Sequence, residues 1–416
     1  MYPKVVKSFS KEKMFIELDR AYESVSIKIM PMEKYGIPHA DFRIDENYRY
    51  PYLPMVKESD DLFSFEYNFS GEQKYSVTLK ADGQEIYGYY LYAVDEDLWS
   101  LRPYKGDTHL HTCRSDGEGT PFEVALEYRR RGFDFIAITD HHKYAPSLEG
   151  REAVKALTDR FTVFPGEEVH NKRMGYFHIV NFNGDSSVND LIKTNDEYVS
   201  SALEDIKRST EFPKNVDKDN CAYRIFVANE IRRRGGLSIF AHPFWEDYGE
   251  YNAQTDDVVY LFKNGYYDAL EVMADCDNIG NGNNIQAALW TEMRAMGMKI
   301  PALGVSDSHW TTREPTKFNK LFSIVLARNA GDIPVSIKNE RSVAVNRRTE
   351  GDFYCVGPFR LVKYARFLMD EYYPEYEKLC FKHAEEMKSA ALTGTRDGLI
   401  QTERNIDIFN ERFWAV

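Results

Sequence analysis

The chain has 416 residues, of which 43% are hydrophobic and 29% charged, and its formal net charge is −13. That length leaves room for two or three domains and at least one sizeable core, in an ordinary globular composition. The acidic balance, with no basic stripe, argues against long nucleic acid as a partner, and no run reaches the roughly 18 apolar residues of a membrane span.

The five cysteines (Cys113, Cys221, Cys276, Cys355 and Cys380) are odd in number, scattered and without a CxxC pair. They form neither a disulfide framework nor a zinc ribbon, and a reduced compartment fits them best. The N-terminal MYPKVVKSFSKEKMF has no apolar signal core. The expected location is therefore cytoplasmic, a removed leader aside.

Residues 1–103 read as β-rich. Phe63, Phe65, Tyr67 and Phe69 alternate with polar residues, and Tyr75, Val77 and Leu79 repeat the pattern, which is the period of half-buried strands. Asp82-Gly83 marks a hairpin turn before a strand over 86–94. Short strands with turn signals predict an immunoglobulin-like β-sandwich, its aromatics forming a core rather than a carbohydrate platform. Residues 95–104 read as a linker.

From residue 104 to about 330 strands alternate with helices. PFEVALEYRRRG (121–132) is a predicted helix with Thr120 as N-cap and Gly132 as stop. FDFIAIT, FTVFPGEEV, GLSIFAHP, YDALEVM, PALGVSDSH and KLFSIVLA read as strands, and residues 151–160, 221–235 and 284–297 as helices. Residues 184–218 are polar and read as an insertion with some helix. Repeated strand–helix units imply a parallel sheet, and about seven of them suit a closed barrel better than an open sheet. Residues 331–416 read as a mostly helical extension, rich in aromatics, packed on that barrel.

Eight of the ten histidines fall between His109 and His309, mostly where short apolar runs end. Residues two apart on a strand share a face, so His109 with His111, and Asp307 with His309, form pairs that grip one ion from two sides. His141, His178 and His242 bring single imidazoles from other strand ends. Glu168 brings a carboxylate able to bridge two ions, and Asp116 a carboxylate on a short loop. One buried histidine alone is more often core than ligand, but five strand ends presenting histidine point to a metal centre. Nine candidate ligands, at four to six donors per ion, require two or three divalent ions. GNGNN (280–284) lacks the third glycine of a dinucleotide loop and reads as a plain loop. Cys113 reads as a bystander thiol.

The stretches DTHLHTCRSDG, ITDHH, PGEEVH, FHIVNF, IFAHPF, DALEV and GVSDSH resemble, in order, the motifs of the polymerase and histidinol phosphatase (PHP) family of metal-dependent phosphoesterases, over roughly residues 105–328. The resemblance implies a distorted (β/α)7 TIM-like barrel with a trinuclear site at its C-terminal face. It places His109, His111, Glu168 and Asp307 on a first ion, and Glu168, His178 and His242 on a second. Asp116, His141 and His309 go to a third. Some family members carry histidine where Asp116 stands, and the aspartate loosens that site or favours a harder ion such as Mn²⁺. The PGxE spacing selects Glu168 over Glu167 as the bridge.

The expected activity is hydrolysis of a small phosphorylated molecule (a nucleotide, a sugar phosphate or a short oligonucleotide) by a hydroxide bridging Mn, Zn or Fe ions. Glu168, Asp307 and His309 are the expected catalytic residues, and Arg114, Lys143 and His170 the expected contacts to phosphate. His142 is expected to support a ligand or lie on the rim. Trp245, Trp310 and Tyr144 stand next to ligand motifs, where they either stack on substrate or pack the rim. Two other readings remain: a metal-dependent hydrolase of a non-phosphate bond, and a non-catalytic metal-binding module. The substrate and the oligomeric state are not legible.

Overall fold

The computed structural model describes residues 1–33, 50–170, 177–247, 249–274, 282–313, 318–349 and 351–414. The chain divides into two compact units. The first takes Met1–Leu101, Lys363–Tyr376 and Glu403–Val416, and the second Arg102–Val362 and Glu377–Thr402.

In the first unit, strands β1 (Val5–Lys7), β2 (Ser10–Glu17), β3 (Val25–Pro31), β4 (Leu53–Pro54), β5 (Val56–Lys57), β6 (Leu62–Phe69), β7 (Gln73–Ala81) and β8 (Gln84–Val94) form two sheets, ordered β1-β8-β7-β3-β4 and β2-β6-β5. Inward residues of both sheets, including Met14, Ile16, Phe63, Phe65, Tyr75, Val77 and Leu79, make one buried cluster. The alternating aromatics are thus core. Asp82 and Gly83 both have positive φ, 46° and 87°, as a two-residue hairpin turn with strand-matching twist demands. The linker is structured: helix α1 (Glu96–Trp99) leads directly to the next strand.

The second unit opens with β9 (Arg102–Asp107), α2 (Pro121–Arg130), β10 (Phe135–Ala137), α3 (Ala145–Lys155), β11 (Thr162–Phe164), β12 (Gly166–Val169) and β13 (Ile179–Phe182). Helices α4 (Val188–Thr194), α5 (Asp196–Ser209) and α6 (Lys218–Arg233) follow, then β14 (Leu237–Phe240), the short pair β15 (Glu246–Asp247) and β16 (Glu250–Tyr251), and α7 (Thr255–Lys263). The remainder is β17 (Ala269–Met273), α8 (Gly282–Ala295), β18 (Ala302–Gly304), β19 (Leu321–Ala327), α9 (Ile333–Lys338), β20 (Ser342–Thr349) and β21 (Asp352–Val356). Three C-terminal helices, α10 (Phe359–Glu371), α11 (Tyr373–Thr393) and α12 (Asp397–Trp414), are shared between the units.

Helix α2 begins as predicted. The Thr120 hydroxyl accepts from the Glu123 N–H, and the Glu123 carboxylate accepts from the Thr120 N–H, so two otherwise orphaned donors are satisfied. Helix α3 starts six residues before its predicted position. Segment 184–218 carries two helices, α4 and α5. GNGNN lies partly, and Cys276 wholly, outside the described residues.

The closed parallel barrel is not formed. The strands make two mixed sheets, ordered β11-β10-β9-β19-β20-β21 and β12-β13-β14-β17-β18. β13 runs antiparallel to both its neighbours, and β19 antiparallel to β9 and β20. The sheets share one interior, in which Phe135, Phe164, Val180, Ile239, Leu303 and Val325 are buried together. Local chemistry explains the open ladder. Pro165, which has no N–H, separates β11 from β12. On the other side, hydroxyls stand in for backbone pairing: Ser323 Oγ accepts from Gly304 N–H at 3.0 Å and donates to Gly304 O at 2.9 Å, and Ser342 Oγ donates to Ala302 O. A Cβ on Gly304 would lie 2.4 Å from Phe322 O, so only glycine permits that approach. Parallel bridges at Leu110–Ser308 and His141–Glu168 join the sheets at the rim that carries the histidines. The C-terminal region from 331 is mostly helical, but the sheet continues into it through β20 and β21, and parts of the last helices belong to the first unit.

Candidate metal centre

The candidate ligands converge on one rim of the second unit. His109 and His111 follow β9, His141 follows β10, His242 follows β14, and Asp307 and His309 follow β18. Glu168 lies within β12. His178 is not at a C-terminal tip, as expected, but immediately before β13. Because β13 is reversed, its N-terminal end reaches the rim where the other strands end.

Asp307 Oδ1 lies 2.9 Å from His111 Nε2 and 3.3 Å from His109 Nε2. Glu168 Oε2 is 3.4 Å from His109 Nε2 and 3.6 Å from His111 Nε2. Its Oε1 is 2.6 Å from His178 Nδ1 and 3.9 Å from His242 Nε2. Asp116 Oδ2 faces His141 Nε2 at 3.2 Å and His309 Nε2 at 3.6 Å. Five groups are close enough to hold an ion: His109–His111–Asp307, Glu168–His178–His242 and His111–Asp116–His141–His309, with His109–His242–Glu271 and His141–Glu168–His170 overlapping them. Asp307 and His309 serve different groups, so the pairing inferred from strand alternation does not hold. Asp307 adopts a left-handed backbone, φ 49°, which breaks the alternation between the two side chains. Such a conformation is costly outside glycine and tends to persist where function requires it.

The donor set fits divalent ions. Donors sharing one tetrahedral ion at metal–nitrogen distances near 2.1 Å stand about 3.4 Å apart, within the range of separations here. Glu168 is fully buried, and neither of its oxygens has a conventional hydrogen-bond partner; the same holds for both ring nitrogens of His178 and of His242. Buried carboxylate and imidazole atoms left without hydrogen-bond partners are costly unless a cation joins them. Burial and the neighbouring His141 and His309 push the His111 imidazole down to about 3, and burial lowers His242 likewise to about 3. Both rings are therefore neutral and able to coordinate. Burial alone would raise Glu168 and Asp307, but the surrounding imidazoles outweigh it and hold both carboxyls well below their usual range.

A set of buried acids underlies the ligands. Glu271, in β17, accepts from His109 Nδ1 at 2.9 Å through Oε1 and from the His242 N–H at 3.0 Å through Oε2. With both oxygens taken, it positions ligands rather than acting as one. Asp140 binds the Thr112 and Ser115 hydroxyls and N–H groups. Asp107 accepts from Tyr128 Oη and the Ser306 N–H, and burial pushes its carboxyl up to about 7. Sequence reasoning assigned none of these a role; the signal was a carboxylate inside an apolar strand, as in ALEVM. Glu167 is committed elsewhere, accepting from Ser187, Val188, Asn189 and Asn181, which leaves Glu168 as the site carboxylate.

A cleft of about 1010 Å³ opens from the Asp116–His141–His178 side. Lys143 lines it, and its ammonium donates to the Arg114 carbonyl. Arg114 instead forms a bidentate pair with Glu149, at 3.0 and 2.7 Å, and is not among the lining residues. His170 sits inside the cluster, with Nε2 2.6 Å from His141 Nδ1 and 3.2 Å from Glu168. Burial lowers its pKa, and with His141 and Glu168 it forms a further group able to hold a metal ion, rather than standing on the rim. His142 turns with φ 61°, and its N–H donates to the Glu168 carbonyl. Trp245 lines the cleft, its ring 5.4 Å from that of His178. Tyr144 packs inward and donates to Gly184 O, while Trp310 is exposed beneath Arg313. Lys193, on α4, is a cleft cation that sequence reading missed.

No family model matches the chain. A stretch of 75 residues is 33% identical to the DNA polymerase/3'-5' exonuclease PolX of Bacillus subtilis, covering 18% of this chain and 13% of that protein's length. A two-domain protein from Bacteroides vulgatus, containing a predicted PHP-like metal-dependent phosphoesterase, is 18% identical with a TM-score of 0.41, over 59% of this chain and 66% of that one. A protein from Bifidobacterium adolescentis, assigned as a metal-dependent phosphoesterase, is 18% identical with a TM-score of 0.35, over 49% and 87%. Both solved structures are thus named as metal-dependent phosphoesterases, and the first as PHP-like, the family whose motifs the sequence resembles. No described helix is long and apolar enough to cross a membrane.

Proposed function

We propose that this chain is a metal-dependent phosphoesterase acting on a small phosphorylated substrate. The observation that carries the reading is the run of ligand groups linked through Glu168 and His111, of which Asp116, His141 and His178 line one cleft. His109, His111, Glu168 and Asp307 would hold a first ion, Glu168, His178 and His242 a second, and Asp116, His141 and His309 a third. Ions of the Mn, Zn or Fe type would supply an acidified water and neutralise phosphate charge.

The chain's own groups do the rest. Glu168 and Asp307 carry the negative charge that retains cations. Glu271 fixes His109 and His242 through hydrogen bonds, and Asp140 ties down the Thr112–Ser115 turn beside Asp116. Lys143 and Lys193 stand where non-bridging phosphate oxygens would lie. Asp116 and His309 are the most solvent-accessible of the ligands, so the ion they would hold is the one most open to exchange. The net charge of −13 supports a small substrate over long nucleic acid.

The test is inorganic phosphate release from a panel of nucleotides and sugar phosphates with Mn²⁺, with and without chelator. Chelator-sensitive release is expected. No release from protein shown by elemental analysis to be metal-loaded would transfer the reading to a different scissile bond or to a binding role.

A further inference from the structure

We propose that segment 184–218 is a specificity wall, and that the phosphate ester it selects carries a planar apolar group rather than a small polyol. The inference rests on the phosphoesterase reading for the identity of the anion, but its geometry is independent of it. Asn189, Ile192 and Lys193 of α4 line the cleft, as do Asp196, Val199, Ser200 and Leu203 of α5. On α5 these are positions i, i+3, i+4 and i+7, which is one continuous helical face. That face opens on the cleft, and Ile192 and Leu203 are only half-buried. Apolar side chains held at the edge of a cavity await an apolar partner.

The cleft lining also carries aromatics. Trp245 stands beside His178, and Tyr223 is buried with a hydroxyl that has no hydrogen-bond partner. Two aromatic and three branched aliphatic side chains among the lining residues suit a flat ring. At the α4–α5 end a polyol would meet Asn189, Asp196, Ser200 and Tyr223, but its carbons would leave Ile192, Val199, Leu203 and Trp245 without an apolar partner. The anion has its own seat. Lys143 and Lys193 each spend a donor on a main-chain carbonyl, of Arg114 and His142, and the nearest carboxylate recorded for Lys193 is Asp190 at 3.9 Å. The ammonium charges remain to meet phosphate at the ligand end, while the ester's other group points to α4 and α5.

Two arms test this on the full chain loaded with Mn²⁺. In the kinetic arm, kcat/KM for 1-naphthyl phosphate should exceed that for glycerol 3-phosphate by tenfold or more, and Leu203→Asp should shrink this ratio roughly tenfold. Ile192→Ser, a milder change, should shrink it in the same direction, with folding of both variants checked by thermal melting. In the binding arm, calorimetry should show 1-naphthylphosphonate tighter than methylphosphonate by a similar factor. Preferential naphthyl binding without hydrolysis of either ester would retire the phosphoesterase reading and keep the wall. Equal binding of the two phosphonates, or a ratio unmoved by both variants, would overturn the wall.

Discussion

Replacing Glu271 by glutamine isolates the role of the acid beneath the histidines. Glu271 is fully buried, with one oxygen 2.9 Å from His109 Nδ1 and the other 3.0 Å from the His242 amide nitrogen. The amide keeps the shape but has one acceptor oxygen for two donors, so its NH₂ must face an N–H. One charge-assisted hydrogen bond is lost, worth about 1.5–3 kcal/mol. Loss of such a support weakens metal affinity by about 10–100-fold, which is about 1.4–2.7 kcal/mol, and the two figures agree. Glu271→Gln should therefore bind Mn²⁺ about 10–100-fold more weakly in competition with a chelating fluorophore. Mn²⁺ affinity within twofold of the parent would refute the positioning role.

Other perturbations follow from the same geometry. Glu168→Gln should abolish phosphate release and lower bound metal without unfolding the chain, because its two oxygens serve two ligand groups; near-normal turnover would contradict the shared-ligand assignment. Gly117→Ala would place a Cβ 2.7 Å from the main-chain carbon and oxygen of His111; a cost of about 1–3 kcal/mol and displacement of the Asp116 loop should appear as a lower melting temperature and loss of the most weakly held ion. His383 is buried, and burial with Arg129 and Arg160 lowers it from 6.5 to about 2. Between those values the unfolded chain binds one proton more than the folded one, so stability falls as pH drops below 6.5, by about 1.4 kcal/mol per unit. His383→Gln should flatten that slope by this amount between pH 6 and 5, and parallel curves would exclude the assignment. Lys143→Ala should raise KM several-fold more than Arg114→Ala, whose guanidinium is occupied by Glu149.

Much of the site was legible because its chemistry is local. A histidine at the end of an apolar run marks a rim position whatever the sheet's connectivity, so His109, His141 and His242 could be placed without knowing the fold. What escaped depends on contacts distant in sequence. The reversal of β13 is set by pairing with β12 and β14, and nothing in FHIVNF signals strand direction. The open ladder depends on Pro165 and on serine hydroxyls from β19 and β20 meeting β18, none of which alters hydrophobic periodicity. Glu271 was visible as a charge within ALEVM, and the rule that such a residue needs a buried partner would have singled it out. Lys193 lies on a polar helix whose role becomes clear only when α4 and α5 are seen to line the cleft.

The central claim is that the rim holds divalent ions, and stoichiometry tests it most directly. Protein stripped with chelator, re-equilibrated with Mn²⁺ or Zn²⁺ and passed free of excess, should retain two or three ions per chain by elemental analysis, with fewer in Glu168→Gln. Retention of less than one ion per chain in the parent protein would contradict the account.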